Sequence, residues 1–253
     1  MTARRLTLVG LDRIGEVAAG DDLVAMLLDA IAASGERLKP GDVVALAQKI
    51  VSKSEGRAVC LAEVTPSPRA EELGRATHKD PRLAELLLGE TREIVRQRVG
   101  LVIVEDSRGL ILANAGIDAS NVAADGQSVL LLPADPDASA RKLREGLQQR
   151  TGVALGVLII DSIGRAWRQG TVGTAIGVAG LPALLDLRGR ADMHGRLLET
   201  SELGVADEIA AAASLLMGQA DERCPAVLIR GLDLSGDGSA RDLQRPRAMD
   251  LFR

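Results

Sequence analysis

Three observations predict an α+β fold. Apolar runs of strand length alternate with stretches of helical period along the chain. Two short apolar runs, near 101–105 and 110–113, flank Ser107-Arg108-Gly109 in the manner of a hairpin, which argues against a purely parallel sheet. Hydrophobic residues make up 46% of the 253, enough for a substantial core in one large domain or two smaller ones. Trp167 and Phe252 are the only aromatic residues, so that core must be Leu, Val, Ile and Ala.

The elements follow in order. Residues 6–9 read as a first strand and Gly10-Leu11-Asp12-Arg13-Ile14 as the turn after it. Asp21-Asp22 opens a helix whose apolar face is Leu23, Val24, Met26, Leu27, Leu28 and Ile31, and Gly35 ends it. Pro40-Gly41-Asp42 turns into a buried strand over 43–47. Lys49 and Lys53 then flank a short segment at the strand's end, where an ammonium group can neutralise phosphate. Two surface lysines at a solvated strand end would read the same way, and no GxxxxGK[ST] loop occurs. Residues 70–77 read as helical. A longer helix is predicted over 81–98, with Pro81 in its first turn and Leu83, Leu86, Leu87, Ile94 and Val95 as its buried stripe. The hairpin of 101–113 comes next, then a strand over 129–132. Asp135-Pro136 caps a helix running to Gln149, and a buried strand over 153–160 ends at Asp161.

The glycine- and threonine-rich run 170–180 reads as a loop suited to close backbone approach. Residues 188–196 are polar and turn-like. An alanine-rich helix over 202–217, closed by Gly218, suits tight contact at a domain or subunit interface. Residues 226–229 form a last strand. The charged tail after Leu234 is expected to be poorly ordered or surface-bound.

Net charge of −4 argues against a general nucleic-acid binder. Cys60 and Cys224 show neither metal-ligand spacing nor a disulfide pattern, which predicts free thiols in a reducing compartment. The N-terminal stretch is not a signal peptide, and no apolar run reaches the ~20 residues of a bilayer span. A cytoplasmic protein without a membrane partner is predicted.

Two stretches carry candidate chemistry. Ala113-Asn114-Ala115-Gly116-Ile117-Asp118-Ala119-Ser120-Asn121 is small-residue backbone with one carboxylate, and Asp118 offers the hard oxygen ligands that Mg²⁺ or Mn²⁺ prefers. Asp161-Ser162 follows a buried strand, at the carboxyl end where α/β proteins place ligands, with Arg165, Trp167 and Arg168 beyond it. The expectation is that Asp118 and Asp161 meet around a metal, with basic groups nearby for phosphate. Asn, Gly, Asp and Ser are also what turns are made of.

Four ordered motifs, GDVVALAQKIVSKSEGR at 41–57, ANAGIDASNV at 113–122, DSIGRAWRQG at 161–170 and VADEIAAAASLLMG at 205–218, together resemble the coenzyme F420-0:L-glutamate ligase family. The likeness runs from Gly10 to about Leu232. It implies two mixed α/β domains in an intertwined homodimer, the first from residues 1–80 with 188–253 and the second from 81–187. It also implies a GTP-dependent ligase that joins L-glutamate to the lactyl carboxylate of F420-0 through an acyl phosphate and then adds γ-linked glutamates. GTP would be the co-substrate, Mg²⁺ or Mn²⁺ the metal, and K⁺ a further candidate cation. By the same resemblance, Asp118, Asp161, Ser162 and Gln219 look like metal ligands. Leu11, Asp12, Arg13, Ile14, Gln48, Lys49, Lys53, Asn121 and Gln219 fall where the family binds nucleotide, and Asp118, Asp161 and Lys53 form the implied catalytic set. Gly170-Thr171-Val172-Gly173 departs from the GQ-x-D form of some members, and His194 matches only some relatives. Two alternatives stand beside this reading: a ligase of this family with a different carboxylate acceptor, kept open by the scarcity of aromatics to stack on a deazaflavin ring, and a nucleotide- and metal-binding dimer without turnover.

Overall fold

A computed structural model describes residues 4–119, 127–234 and 236–251. The elements are β1 (Thr7–Leu11), α1 (Leu23–Ala33), β2 (Val43–Ala47), α2 (Gln48–Ser54), β3 (Ala58–Cys60), α3 (Pro68–Thr77), α4 (Pro81–Glu90), β4 (Thr91–Arg98), β5 (Leu101–Asp106), β6 (Ile111–Ala113), β7 (Ser128–Leu130), α5 (Pro136–Thr151), β8 (Gly156–Arg165), β9 (Arg168–Ala179), β10 (Leu185–Asp186), β11 (Glu202–Leu203), α6 (Val205–Met217) and β12 (Ala226–Arg230).

A five-stranded mixed sheet in the order β1-β12-β2-β8-β9 organises the chain. β2 and β8 pair in parallel and the other three pairings are antiparallel. β1, β2 and β8 therefore point the same way, and their carboxyl ends share one rim of the sheet. Side chains alternate across a strand, and here both faces are apolar. Val44, Leu46, Val157, Ile159, Ala226 and Leu228 pack under α1 and α5. Their neighbours Val43, Ala45, Leu158, Ile160, Val227 and Ile229 pack under α6. Burial on both faces is why these strands read as unbroken apolar runs rather than alternating ones. α1 and α5 begin where short polar side chains accept backbone amides: Asp22 from Ala25 at 3.1 Å and Asp135 from Ala138 at 3.0 Å.

A smaller unit projects from this frame. α3 and α4 pack on the antiparallel sheet β4-β5-β6 through Ala70, Leu73, Ala84, Leu87, Val102, Val104 and Ala115. A two-stranded ribbon, β3-β7, lies between the two units in sequence. The main sheet takes its strands from 7–11, 43–47, 156–165, 168–179 and 226–230.

Several sequence expectations are corrected. The helix expected over 81–98 stops at Glu90, and residues 91–98 form β4 in a hairpin with β5. Ile94 and Val95 extend the helical spacing by coincidence, but strand pairing decides their conformation. The strand expected to end at Asp161 continues to Arg165, so Asp161 sits inside β8 opposite Thr174. The glycine-rich run 170–180 is mostly strand β9 rather than loop. Gly173 is needed for packing: a Cβ there would lie 2.5 Å from the Ala210 carbonyl oxygen and 2.7 Å from Ser214 Cβ on α6. Residues 48–54 are a helix, and Gly10 and Leu11 belong to β1. The tail is tied down through Asp137, which accepts Ser239 Oγ at 2.6 Å and the Ala240 amide at 3.0 Å. No helix among the described residues is long and apolar enough to cross a membrane.

Candidate functional site

The candidate site forms at the rim where β1, β2 and β8 end. Ala47 and Ile160 are register partners in the parallel pair, so the residues after each emerge side by side. After Ala47 the chain turns into α2 and presents Lys49. After Ile160 it presents Asp161.

Asp118 arrives from the smaller unit. Beyond β6, Asn114 and Ala115 adopt left-handed backbone at φ of 52° and 55°, and Gly116 follows at 68°. A Cβ on Gly116 would sit 2.6 Å from Leu132 Cδ1 and 2.9 Å from Leu112 Cδ1. The small residues of this stretch thus serve a tight turn over a leucine contact, and Asn114 Oδ1 steadies it by accepting the Val102 amide at 3.2 Å. Asp118 is then clamped by two backbone bonds to Leu130, at 2.9 and 2.8 Å, which extend the β3-β7 ribbon.

Asp161 lies within electrostatic range of both Asp118 and Lys49. Lys49 Nζ lies 2.7 Å from Asp118 Oδ2. The Asp161 carboxyl is pushed up to about 6, chiefly by burial and further by the negative charge of Asp118; Lys49 and the Ser162 amide, which donates to Asp161 Oδ1 at 2.8 Å, act in the opposite direction. A carboxylate that raises the proton affinity of a second one beside it makes a place that favours a cation.

The other expected residues are distributed around this pair. Ser162 follows Asp161 and is partly buried. Lys53 is one turn beyond Lys49 on the same side of α2. Gln48 is buried, its side-chain oxygen accepting Ser52 Oγ at 2.9 Å, so its amide belongs to the packing of α2. Leu11 and Ile14 are core residues, whereas Asp12 and Arg13 are exposed at the end of β1. Gln219 is exposed on the connection from α6 to β12, which enters the sheet at this same rim. Strands lie ~4.8 Å apart, so the β1 end stands roughly 14 Å from Asp161 along the rim. Asn121 lies outside the described residues. Arg165 and Arg168 face each other at the exposed tip of the β8–β9 hairpin, with Trp167 87% exposed between them.

The donor set suits a hard divalent cation. Two carboxylates leave coordination positions for water and phosphate oxygen, as Mg²⁺ and Mn²⁺ require. Among the described residues there is no cluster of three or more His, Cys, Asp or Glu that could build an all-protein cage. Sequence reasoning placed Lys49 among nucleotide contacts and missed that it pairs with Asp118. It also passed over Asp207, in the first turn of α6, whose carboxylate reaches back to the main sheet.

The family model described as F420-0:Gamma-glutamyl ligase matches residues 12–231. The coenzyme F420:L-glutamate ligase of Methanothermobacter thermautotrophicus is 47% identical, over 98% of this chain and 99% of its own length. The protein of the same name from Methanopyrus kandleri is 45% identical, over 98% and 97%. That of Archaeoglobus fulgidus is 42% identical, over 92% and 91%.

Proposed function

This chain belongs to the F420-0:gamma-glutamyl ligase family, and from that premise we propose that it joins L-glutamate to coenzyme F420-0 at the expense of GTP. The observation that carries the reading is the convergence of Asp118, Asp161 and Lys49 at one sheet rim.

The chemistry asks for such a site. A carboxylate is a poor acceptor for an amine because its leaving group would be oxide. Transfer of the γ-phosphoryl group of GTP to the lactyl carboxylate gives an acyl phosphate, from which phosphate departs as the glutamate amine attacks. Phosphoryl transfer needs positioning and charge neutralisation more than covalent help. Asp118, Asp161 and Ser162 would hold Mg²⁺ or Mn²⁺, which when bound neutralises phosphate oxygens. Lys49 and Lys53 give one side of α2 two ammonium groups for the phosphate chain. Asp12 and Arg13, at the end of β1, stand where the far end of a nucleotide stretched along the rim would reach. Further γ-linked glutamates would use the same sequence of steps, with the newly added carboxylate as acceptor.

Incubation of the protein with F420-0, L-glutamate, GTP and Mn²⁺ or Mg²⁺, followed by mass spectrometry, tests this. A product heavier by one or more glutamyl units, with GDP formed, is expected. Asp118→Asn should keep the fold and lose product. Metal-dependent GTP binding without any mass shift would move the reading to a different carboxylate acceptor.

A further inference from the structure

Asp161 does not sit on regular sheet. One residue before it the β8–β9 ladder slips: Ile159 pairs with Gly177 but Ile160 pairs with Ala175, so β9 carries one extra residue, Ile176. Such a bulge bends its strand and re-aims what lies beyond. What lies beyond is the outer hairpin, residues 161–174, which carries Asp161 and Ser162. β9 is also the edge strand of the sheet, so among the described residues its outward amides have no strand partner. The Ala175 amide at the bulge instead donates to Asp207 Oδ1 at 2.9 Å. Asp207 stands in the first turn of α6, a rigid helix packed on the sheet through Ala206, Ile209, Ala210 and Ala213. One turn further along α6, Gly173 lets the hairpin lie directly on Ala210 and Ser214. The base of the hairpin is therefore pinned to α6 at the bulge and again two residues outward.

We propose that Asp207 is a positioning residue for the metal pair: by holding the Ala175 amide it fixes the bulge at the base of the β8–β9 hairpin and so aims Asp161 at Asp118. The inference rests on the reading of Asp118 and Asp161 as a divalent-metal site. It concerns acceptor geometry rather than charge, because a backbone amide needs only an oxygen in that place. Asp207→Asn keeps such an oxygen and Asp207→Ala removes it. A comparable cap on the same strand supplies the control: the Val178 amide donates to Asp137 Oδ1 at 2.8 Å, on the inner side of the bulge and away from Asp161.

The test is Mn²⁺ binding to the purified full chain, followed by the loss of the free-ion electron paramagnetic resonance signal, with folding checked by circular dichroism and thermal melting. Asp207→Ala is expected to weaken Mn²⁺ binding about tenfold, Asp207→Asn to restore it to within about twofold, and Asp137→Ala to leave it within about twofold. Equal weakening by Asp207→Ala and Asp137→Ala would reduce the cap to general strand stability and overturn the proposal. So would unchanged binding in a folded Asp207→Ala, or failure of Asp207→Asn to restore it. Asp118→Asn separates the two levels: if that variant binds Mn²⁺ as the parent does, the metal reading itself fails. If it loses Mn²⁺ while Asp207→Ala does not, only the positioning role fails.

Discussion

Asp161 is held in a place that costs its charge. Its carboxyl rises from an ordinary 3.8 to about 6, burial being the largest cause and Asp118 a further one. At 1.36 kcal/mol per pH unit the rise corresponds to roughly 3 kcal/mol, which solvent at a partly exposed group screens to about 1–2. The sign follows from the direction of the shift. An acid whose folded value lies above its unfolded one destabilises the fold once it is ionised. The penalty is absent below about pH 4, grows between pH 4 and 6, and is complete above. Asp161→Asn should therefore melt a few degrees higher than the parent at pH 7.5 in chelator, with the difference fading towards pH 4. The same variant should lose metal-dependent GDP formation, the exchange of stability for function expected where like charges are gathered for a ligand. A melting point unchanged or lowered at pH 7.5 would contradict this placement of Asp161.

Among the elements, β9 shows how glycine can read as loop and fold as strand. Gly173 lies against backbone and side chain of α6, and Gly177 against the Pro136 carbonyl at the start of α5, whereas Gly164 has nothing within 4 Å of where a Cβ would stand. Gly173→Ala should cost about 1–3 kcal/mol in denaturant unfolding, because the Ala210 carbonyl cannot move aside without moving α6. Gly164→Ala, two residues after Ser162 on the facing strand, should stay within about 0.5 kcal/mol. This contrast marks what sequence could tell. The strand 43–47 was legible to the residue because five apolar positions are bounded by a Pro-Gly turn. Asp118 and Asp161 stand out in the sequence because each follows an apolar run, and the structure brings them within electrostatic range of each other. β9 was not legible, since its glycines answer to helices distant in sequence. The break at Thr91 was not, because Ile94 and Val95 keep a helical spacing while pairing with Leu101–Asp106 makes them strand. Asp207 was hidden for a like reason: Asp207 and Glu208 read as ordinary acidic residues in the first turn of an alanine-rich helix, and the amide that Asp207 accepts lies at a bulge distant in sequence.

At the scale of the whole molecule, the two units that carry the site are joined by buried charge. Lys49 belongs to the main frame, and Asp118 leaves the smaller sheet. Between them Glu90, the last residue of α4, takes Arg57 Nη2 at 2.8 Å on one oxygen and Arg108 Nη2 at 2.8 Å on the other. Arg57 follows α2 and also donates to the Leu132 carbonyl at 2.9 Å, while Arg108 spans Asp106 at 2.7 Å and the Pro133 carbonyl at 3.1 Å. Asp106 is fully buried, and the Arg108 side chain is 8% exposed. Removing one member of such a network leaves a carboxylate in low dielectric without its cation, a loss of about 3–5 kcal/mol. Arg108→Ala is accordingly expected to lower unfolding free energy by that amount. Arg150→Ala, which deletes an exposed partner of Asp22 with side chains 46% and 52% accessible, should leave stability nearly unchanged. The network also fixes where the smaller sheet stands against α2, and hence where Asp118 meets Lys49 and Asp161. Arg108→Ala should thus weaken Mn²⁺ binding even at temperatures where the chain remains folded, though Arg108 is not placed in the site. Equal stability losses for the two arginine variants, or a folded Arg108→Ala with parental Mn²⁺ affinity, would show that the units hold their register without this joint.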